Sequence, residues 1–241
     1  MSMRGHPSAV TCRGTRTRRT ALLGLLLAGC NDPNTPPENP ASPIDSPDAV
    51  VNALAVAYRE QDFALLRSIL ADDPARNAEY VFYLSEPTEF GEVQWEYGEE
   101  VRIHRRMFRP YDPVGRERPV PAELWLASVA IHLTPATVWE ERDDLYSANE
   151  GADEKLDPAV WKAVQARYDT DVLFDTQSEL DYLVRGAANF VVIEDLTKRR
   201  GADGKFLLYI WEDLEAQPRK PDVPDPSGSS SSWSAVKDLF R

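Results

Sequence analysis

Two histidines and a tyrosine are the side chains best suited to proton transfer in this sequence. His104 lies on an otherwise apolar face of a predicted helix, residues 97–108. An imidazole titrates near neutral pH, so a histidine held in an apolar interior can act as a general acid or base. The alternative is a core histidine whose ring nitrogens are hydrogen-bonded to the protein. His132 and Tyr58 could line the same cavity, with core packing again the alternative.

Motifs for other kinds of chemistry are absent from the sequence. It contains no GxSxG, HExxH, CxxC, GxGxxG or P-loop pattern, so nucleophilic, zinc and nucleotide chemistry have no motif to support them. The spacing of Asp169, Asp171 and Asp175 is similar to part of a calcium loop, but the turn glycine at position six and the glutamate at position twelve are missing. We therefore predict no metal site, no cofactor and no firm catalytic residue beyond the weak candidate His104.

Cys30 is the other residue with chemistry of its own. A basic segment, an apolar run from Ala21 to Ala28 and small residues before Cys30 have the order of a secretory signal peptide, residues 1–29. The sequence Leu-Ala-Gly-Cys resembles the lipobox of bacterial lipoproteins. This resemblance implies that Cys30 is lipidated, and labelled palmitate would detect the modification. An ordinary signal peptide is the alternative. The eight-residue apolar run is too short to span a bilayer, which takes about 20 residues. Arg18-Arg19 leaves export by the twin-arginine route open beside the general route.

The charge of the chain excludes some partners. Residues 1–29 contain five of the 27 basic residues and no acid, so the mature chain has 22 basic and 40 acidic residues, a formal charge of −18. Such a surface repels nucleic acid and anionic headgroups. Cys12 is removed with the signal peptide and Cys30 is used for lipid, so no disulfide is expected and stability must come from one hydrophobic core.

Periodicity predicts helices at both ends of the chain. Ser46 caps a helix that runs to Glu60, Asp62 caps a shorter one, and the third is the amphipathic helix 97–108, with Arg102, Arg105 and Arg106 on its polar face. The C-terminal segment from Trp233 has apolar residues at helical spacing and is predicted to be a short helix that docks back on the domain.

Strands are predicted between the third helix and the tail. The segments are 80–84, 124–133, 160–168 with a continuation past a bulge at 172–174, and the two arms of a hairpin, 187–196 and 205–211. Eight acids mark residues 139–158 as a solvated excursion between strands.

The predicted order of elements resembles that of the NTF2-like fold: two helices, a strand, a third helix and then a run of long antiparallel strands. The resemblance extends to a group of NTF2-like bacterial lipoproteins of uncharacterised role and covers about residues 47–241. It implies an α+β cone, in which a curved antiparallel sheet wraps the N-terminal helices around an internal pocket. The matching residues are Ala57-Tyr58, Leu70 to Asp73, Trp95 to Tyr97, Glu99-Glu100, Met107-Phe108 and Trp233 to Lys237.

These observations divide the chain into five parts. Residues 1–29 are the signal peptide, 30–46 a Pro-rich tether, 47–216 the NTF2-like domain, 217–232 a Pro/Ser-rich linker and 233–241 the docking helix. The resemblance implies that a pocket would be lined by Tyr58, Tyr83, Trp95, His104 and His132.

Two functions of different classes follow from this sequence. The first is a membrane-anchored lipoprotein of the bacterial cell envelope, on its periplasmic or extracellular face, that binds a small apolar ligand or another envelope protein. The alternative is a small acid–base enzyme, an isomerase, dehydratase or hydrolase, that uses a histidine or carboxylate inside the cone. Pairing of two copies through the sheet would be in keeping with the fold.

Overall fold

A computed structural model describes residues 44–88, 91–112, 114–146, 155–178, 181–197, 206–214 and 230–241. The predicted signal peptide and nearly all of the predicted tether therefore lie outside the described residues. Within these ranges the α-helices are α1 (Pro47–Arg59), α2 (Phe63–Ile69), α3 (Tyr97–Phe108) and α4 (Trp233–Asp238). The strands are β1 (Asp72–Asp73), β2 (Ala78–Glu79), β3 (Val81–Tyr83), β4 (Gln94–Glu96), β5 (Leu126–Pro135), β6 (Glu140–Glu141), β7 (Trp161–Thr176), β8 (Tyr182–Asp195), β9 (Phe206–Leu214) and β10 (Ser230–Ser231).

The predicted caps start the first two helices. Ser46 accepts a hydrogen bond from the Ala49 amide at 3.2 Å, and Pro47 occupies the first turn, where its missing N–H costs nothing. Asp62 accepts from the amides of Ala64 and Leu65 at 2.9 and 3.0 Å. The helix starts predicted from the sequence are confirmed because short-range capping chemistry determines them.

A single large sheet curves around α1. Its strands lie in the order β4-β3-β9-β8-β7-β5, with β6 paired to β7 and β10 paired to β8. All pairs are antiparallel except β3 with β9 and β10 with β8. Because α1 packs against β5 near one edge and against β8 and β9 nearer the other, the sheet must bend around the helix. The predicted α+β class, a cone with a curved sheet around the N-terminal helices, is confirmed.

The middle of the sheet differs from the prediction. β7 is one continuous strand of 16 residues, not two pieces separated by a bulge. It pairs along one side with β5 and β6 and along the other with β8, so Asp169 and Asp171 remain in register despite their poor strand propensity. Likewise β8 begins at Tyr182, five residues before the predicted start.

The segment 139–158 is only partly a solvated excursion. Glu140 and Glu141 pair with β7, and Leu156 is fully buried beside a bridge to Tyr146. The open edge of β7 beyond β5 provides backbone partners for this acidic stretch, which side-chain composition alone does not reveal. Residues 147–154 lie outside the described ranges.

The C-terminal helix closes the open end of the cone. α4 follows β10, and it packs against α3 and β8. Its apolar residues Trp233, Val236 and Phe240 are buried. The Trp233 ring makes edge contacts with the rings of Tyr58, Phe174 and Trp211. Within the described residues, no helix is long and apolar enough to cross a membrane.

Replacing Trp233 should show how much α4 contributes to the core. Trp233→Ala removes a fully buried indole, so we expect the free energy of unfolding to fall by about 3–5 kcal/mol. Leu239→Ala, at the end of the same helix and 39% exposed, is the matched control and should change it by less than about 0.5 kcal/mol. Chemical denaturation of the full chain measures both, and equal effects would mean that α4 does not complete the core.

Candidate functional site

Five polar side chains meet inside the cone, where α3 faces α4. Each of them is at most 1% exposed although each carries an ionisable or hydroxyl group. We call this set the buried polar cluster; it consists of Tyr58, Tyr80, Glu100, His104 and Lys237.

Local structure accounts for the position of each member. Glu100 and His104 are four residues apart on α3, so they share one face of the helix. Tyr58 lies in the last turn of α1, and Tyr80 immediately precedes β3. Lys237 is four residues after Trp233 on α4, so both side chains enter the cone from the same side.

The hydrogen bonds of His104 determine its tautomer. Its Nδ1 lies 2.9 Å from the backbone carbonyl oxygen of Glu100, which can only accept, so Nδ1 carries the proton and donates it. The other nitrogen, Nε2, accepts a hydrogen bond from the Tyr58 hydroxyl. Both ring nitrogens are therefore used by the protein itself.

Burial sets the charge of this pair. It lowers the pKa of His104 to about 4, an effect opposed by the Glu100 carboxylate and reinforced by Lys237. It also raises the pKa of Tyr58 well above its ordinary value, with Glu100 adding to the rise. At neutral pH the imidazole and the phenol are both uncharged, as their hydrogen bond requires.

Glu100 has two carboxylate oxygens in unequal surroundings. Oε1 forms an ion pair with the Lys237 ammonium and accepts a hydrogen bond from the Tyr80 hydroxyl at 3.3 Å; it also lies 3.6 Å from His104 Nδ1. Oε2 is buried and has no hydrogen-bond partner among the described residues. One acceptor in the centre of the cone is thus unused.

Aromatic rings surround the Lys237 ammonium. Nζ lies 3.5 Å from the centre of the Phe82 ring and 4.2 Å from that of Trp211, with Trp233 at 5.9 Å. Phe82 and Trp211 are paired in register across β3 and β9, so their side chains lie on the same face of the sheet. Burial lowers the pKa of Lys237, and Glu100 acts in the opposite direction.

Polar contacts at both ends of α4 hold it in the mouth of the cone. At its start, Asp213 accepts hydrogen bonds from the Ser234 amide and hydroxyl at 2.9 and 2.7 Å. Burial raises the pKa of Asp213. After its end, Arg241 pairs with Glu92 and Glu99, and its carbonyl accepts from Arg106 at 2.9 Å.

Two open depressions lie elsewhere on the described surface. One, of about 550 Å³, lies between α2 and both ends of α3; the other, of about 450 Å³, lies at the ends of β3 and β9. Neither is lined by a member of the buried polar cluster. In this structure the expected internal pocket is a side-chain-filled interior that α4 covers.

The sequence-predicted residues separate into two groups. Tyr58, Trp95 and His104 are buried inside, and Tyr58 contacts His104 directly. Tyr83 is 37% exposed and His132 is also exposed, so neither faces the cluster. Alternation along a strand is the reason: Phe82 and Ile131 face inward, so the residues that follow them face outward.

Sequence reasoning missed Tyr80, Glu100 and Lys237. A signal existed for two of them, since Glu100 is one turn before His104 and Lys237 one turn after Trp233. Composition argued against both, because Glu and Lys are almost never fully buried unless paired. Only the meeting of α3 with α4 shows that they are paired.

No metal centre is formed by the acidic residues of β7. Within the described ranges, no three His, Cys, Asp or Glu side chains are placed to hold a metal ion. Asp169 and Asp171 are exposed on a regular strand, where Asp171 pairs with Arg185 at 3.5 Å.

No family model and no curated protein matches this sequence. Solved structures with similar chain traces have low sequence identity. A conserved protein from Planctomyces limnophilus is 12% identical with a TM-score of 0.43, covering 69% of this chain and 91% of its own. A protein of the NTF2-like family from Streptomyces avermitilis is 13% identical with a TM-score of 0.38, covering 68% and 89%. A protein of unknown function from Mycobacterium tuberculosis is 11% identical with a TM-score of 0.38, covering 80% and 88%. With every TM-score below 0.5, the fold assignment depends on the topology described above.

The neutral His104 predicts a specific pH dependence of stability. Its pKa is about 4 when folded and near 6.5 when unfolded, so the unfolded chain takes up the proton first as the pH falls. The contribution of His104 is complete above about pH 6.5 and declines toward pH 4, by roughly 3 kcal/mol over that range. His104→Gln should cost about 1–3 kcal/mol at pH 7 and make the pH profile flatter.

His132→Gln is the matched control for this measurement, because His132 is exposed on β5. It should leave the wild-type profile unchanged in denaturation curves recorded from pH 7.5 to 4.5. A profile for His104→Gln that is as steep as the wild type would mean that His104 is protonated in the folded protein.

Proposed function

We propose that this protein is a lipid-anchored binding module of the bacterial cell envelope, and that its binding site is the interior of the cone. The observation that carries the proposal is the insertion of the Lys237 side chain, which fills the centre of the cone as a bound ligand would. If the cone served only stability, apolar residues would close it at a lower cost in free energy than a buried ion pair.

Several contacts favour binding over catalysis. Both nitrogens of His104 already have protein partners, and burial keeps its pKa near 4, far from the working range of a general base at neutral pH. With α4 in place, His104 is 1% exposed and solvent does not reach its ring. The acid–base groups thus act as structural elements in the closed form.

The alternative enzyme has one observation in its favour. Tyr58 donates to His104, and the Glu100 carboxylate lies 3.6 Å from the other ring nitrogen, so a small shift would give an arrangement able to relay a proton. If α4 withdrew and water entered, the pKa of His104 would move back toward neutrality. This second candidate therefore requires an open form of the cone.

The anchor is the first part of the proposal to test. Cys30 follows the lipobox-like sequence, and two or more acyl chains give stable membrane attachment. Cells expressing the wild type should incorporate labelled palmitate and retain the protein in the membrane fraction. Cys30→Ser should take up no label and leave that fraction, whereas Cys12→Ser, in the signal peptide, should behave as the wild type. Equal fractionation of Cys30→Ser and wild type would contradict the anchor.

Binding and catalysis can be separated by the fate of the ligand. We expect native mass spectrometry of the membrane-purified full chain to detect a noncovalent small molecule, with higher occupancy in Trp233→Ala because α4 is loosened. After purification the compound should be returned chemically unchanged on incubation with the protein. Conversion by the wild type that is lost in His104→Gln would instead establish the enzyme, and absence of any compound from both proteins would contradict a resident ligand in the cone.

A further inference from the structure

The Lys237 ammonium has the environment of a ligand in a recognition site. We propose that the centre of the cone is a binding site for a small primary alkylammonium ion, and that Lys237 of the chain's own C-terminal helix occupies this site in the closed form. The inference rests on the proposed binding function and names the chemical class of its ligand. We call the site, formed by Phe82, Glu100 and Trp211, the ammonium site.

The first argument is the chemistry of the groups around Nζ. Glu100 provides a carboxylate, and the faces of Phe82 and Trp211 lie 3.5 and 4.2 Å away. A carboxylate combined with aromatic faces is the arrangement that recognises organic cations, because the ring quadrupoles and the anion all attract positive charge. The site thus matches a cation, not an anion or a neutral group.

The second argument is that closing the cone does not require a charge. Trp233, Val236 and Phe240 already provide the apolar contacts of α4. Burying an ammonium and a carboxylate costs several kcal/mol per ion before their attraction is counted, and an apolar pair of similar volume is often at least as stable. A lysine is therefore an unfavourable residue for closing the cone. Its ammonium is nevertheless the group that a site for alkylammonium ions would bind.

The third argument is the unused acceptor. Glu100 Oε2 is buried and unpartnered among the residues described, although a buried acceptor without a partner is unfavourable. The Lys237 ammonium, which α4 carries, pairs with Oε1. A free ammonium ion has three donors and no such tether, so it can reach both oxygens.

The charges around the site favour a single small cation. If Lys237 withdrew, Glu100 would lose its cation, and Asp213 is the other carboxylate that acts on this lysine, so both charges at the site attract a cation. The short distance from Nζ to the Phe82 ring leaves no space for methyl groups on the nitrogen. Primary amines should therefore bind and quaternary ones should not.

Lys237→Ala provides the direct test, because the atoms removed correspond to propylammonium. Thermal unfolding of the full-length variant should show a saturable rise in Tm of roughly 5 °C with propylammonium chloride. Three controls at equal concentration should give no such rise: 1-propanol, which has the same shape without the charge, propyltrimethylammonium, and KCl for ionic strength. Equal effects of propylammonium and any control would overturn the proposal.

Further variants keep the test decisive. Adding Glu100→Gln to Lys237→Ala should abolish the difference between propylammonium and 1-propanol. Lys237→Met fills the space without charge and should not respond to propylammonium. If Lys237→Ala fails to fold alone, its refolding yield becomes the readout: recovery with propylammonium but not with 1-propanol supports the site, and recovery with neither overturns it.

The wild type distinguishes a ligand site from a purely structural ion pair. An external amine that exchanges with Lys237 must release α4, so hydrogen exchange of amides 233–241 should increase with propylammonium and not with KCl or 1-propanol. Because a tethered lysine competes at an effective concentration on the order of millimolar, the amine must be in large excess. Unchanged exchange at saturating amine would show that Lys237 is a fixed part of the core.

These results are separable from the test of the binding function itself. A compound that copurifies unchanged while propylammonium has no specific effect would leave the binding module intact and refute the amine as its ligand. The reverse pattern, specific rescue without any copurifying compound, would support the ammonium site while removing the evidence for a resident ligand.

Discussion

The ion pair between Glu100 and Lys237 is the contact on which the closed structure depends. It joins α3, which lines the cone, to α4, which covers it, across 137 positions of sequence. Both side chains are fully buried, so removal of one partner would leave the other charge buried without its partner, a cost of about 3–5 kcal/mol. The two residues therefore stabilise the fold only together, and the position of α4 is coupled to the charge state of the interior.

Tyr58 connects this polar centre to the hydrophobic core. Its hydroxyl donates to His104, while its ring makes edge contacts with those of Phe108, Phe174, Trp211 and Trp233. A tyrosine can satisfy a buried nitrogen at its tip and pack aromatic rings along its body. The acid–base residues are consequently part of the core. Tyr58 and His104 are therefore packing residues in this structure, although they are residue types that also occur in catalytic sites.

The lysine inside the cone makes closure reversible in principle. If only apolar side chains closed the cone, their contacts would be spread over many atoms, and a small solute could not replace them. In the proposed exchange, another ammonium would take the place of the one held by the carboxylate and the two aromatic faces. On this proposal, ligand binding and release of α4 would be coupled in a single exchange.

Much of the local structure could be predicted from the sequence because it depends on neighbours along the chain. The caps at Ser46 and Asp62, the exact extent of α3 and the helical tail from Trp233 follow from capping groups and from the 3.6-residue period. The inward direction of His104 follows from the same period. By contrast, β7 is longer than its own residues favour, since hydrogen bonds on both sides extend it.

The composition of the site was decided by tertiary structure alone. A helical face predicts that His104 points inward, but not that Glu100, one turn earlier, is buried with it, because burial of a carboxylate depends on the arrival of a cation. That cation is on α4, 137 residues away, and no local pattern links the two. The sequence alone thus determined the elements and the candidate histidine, whereas the pairing of distant charges determined which side chains form the interior and why the cone is closed.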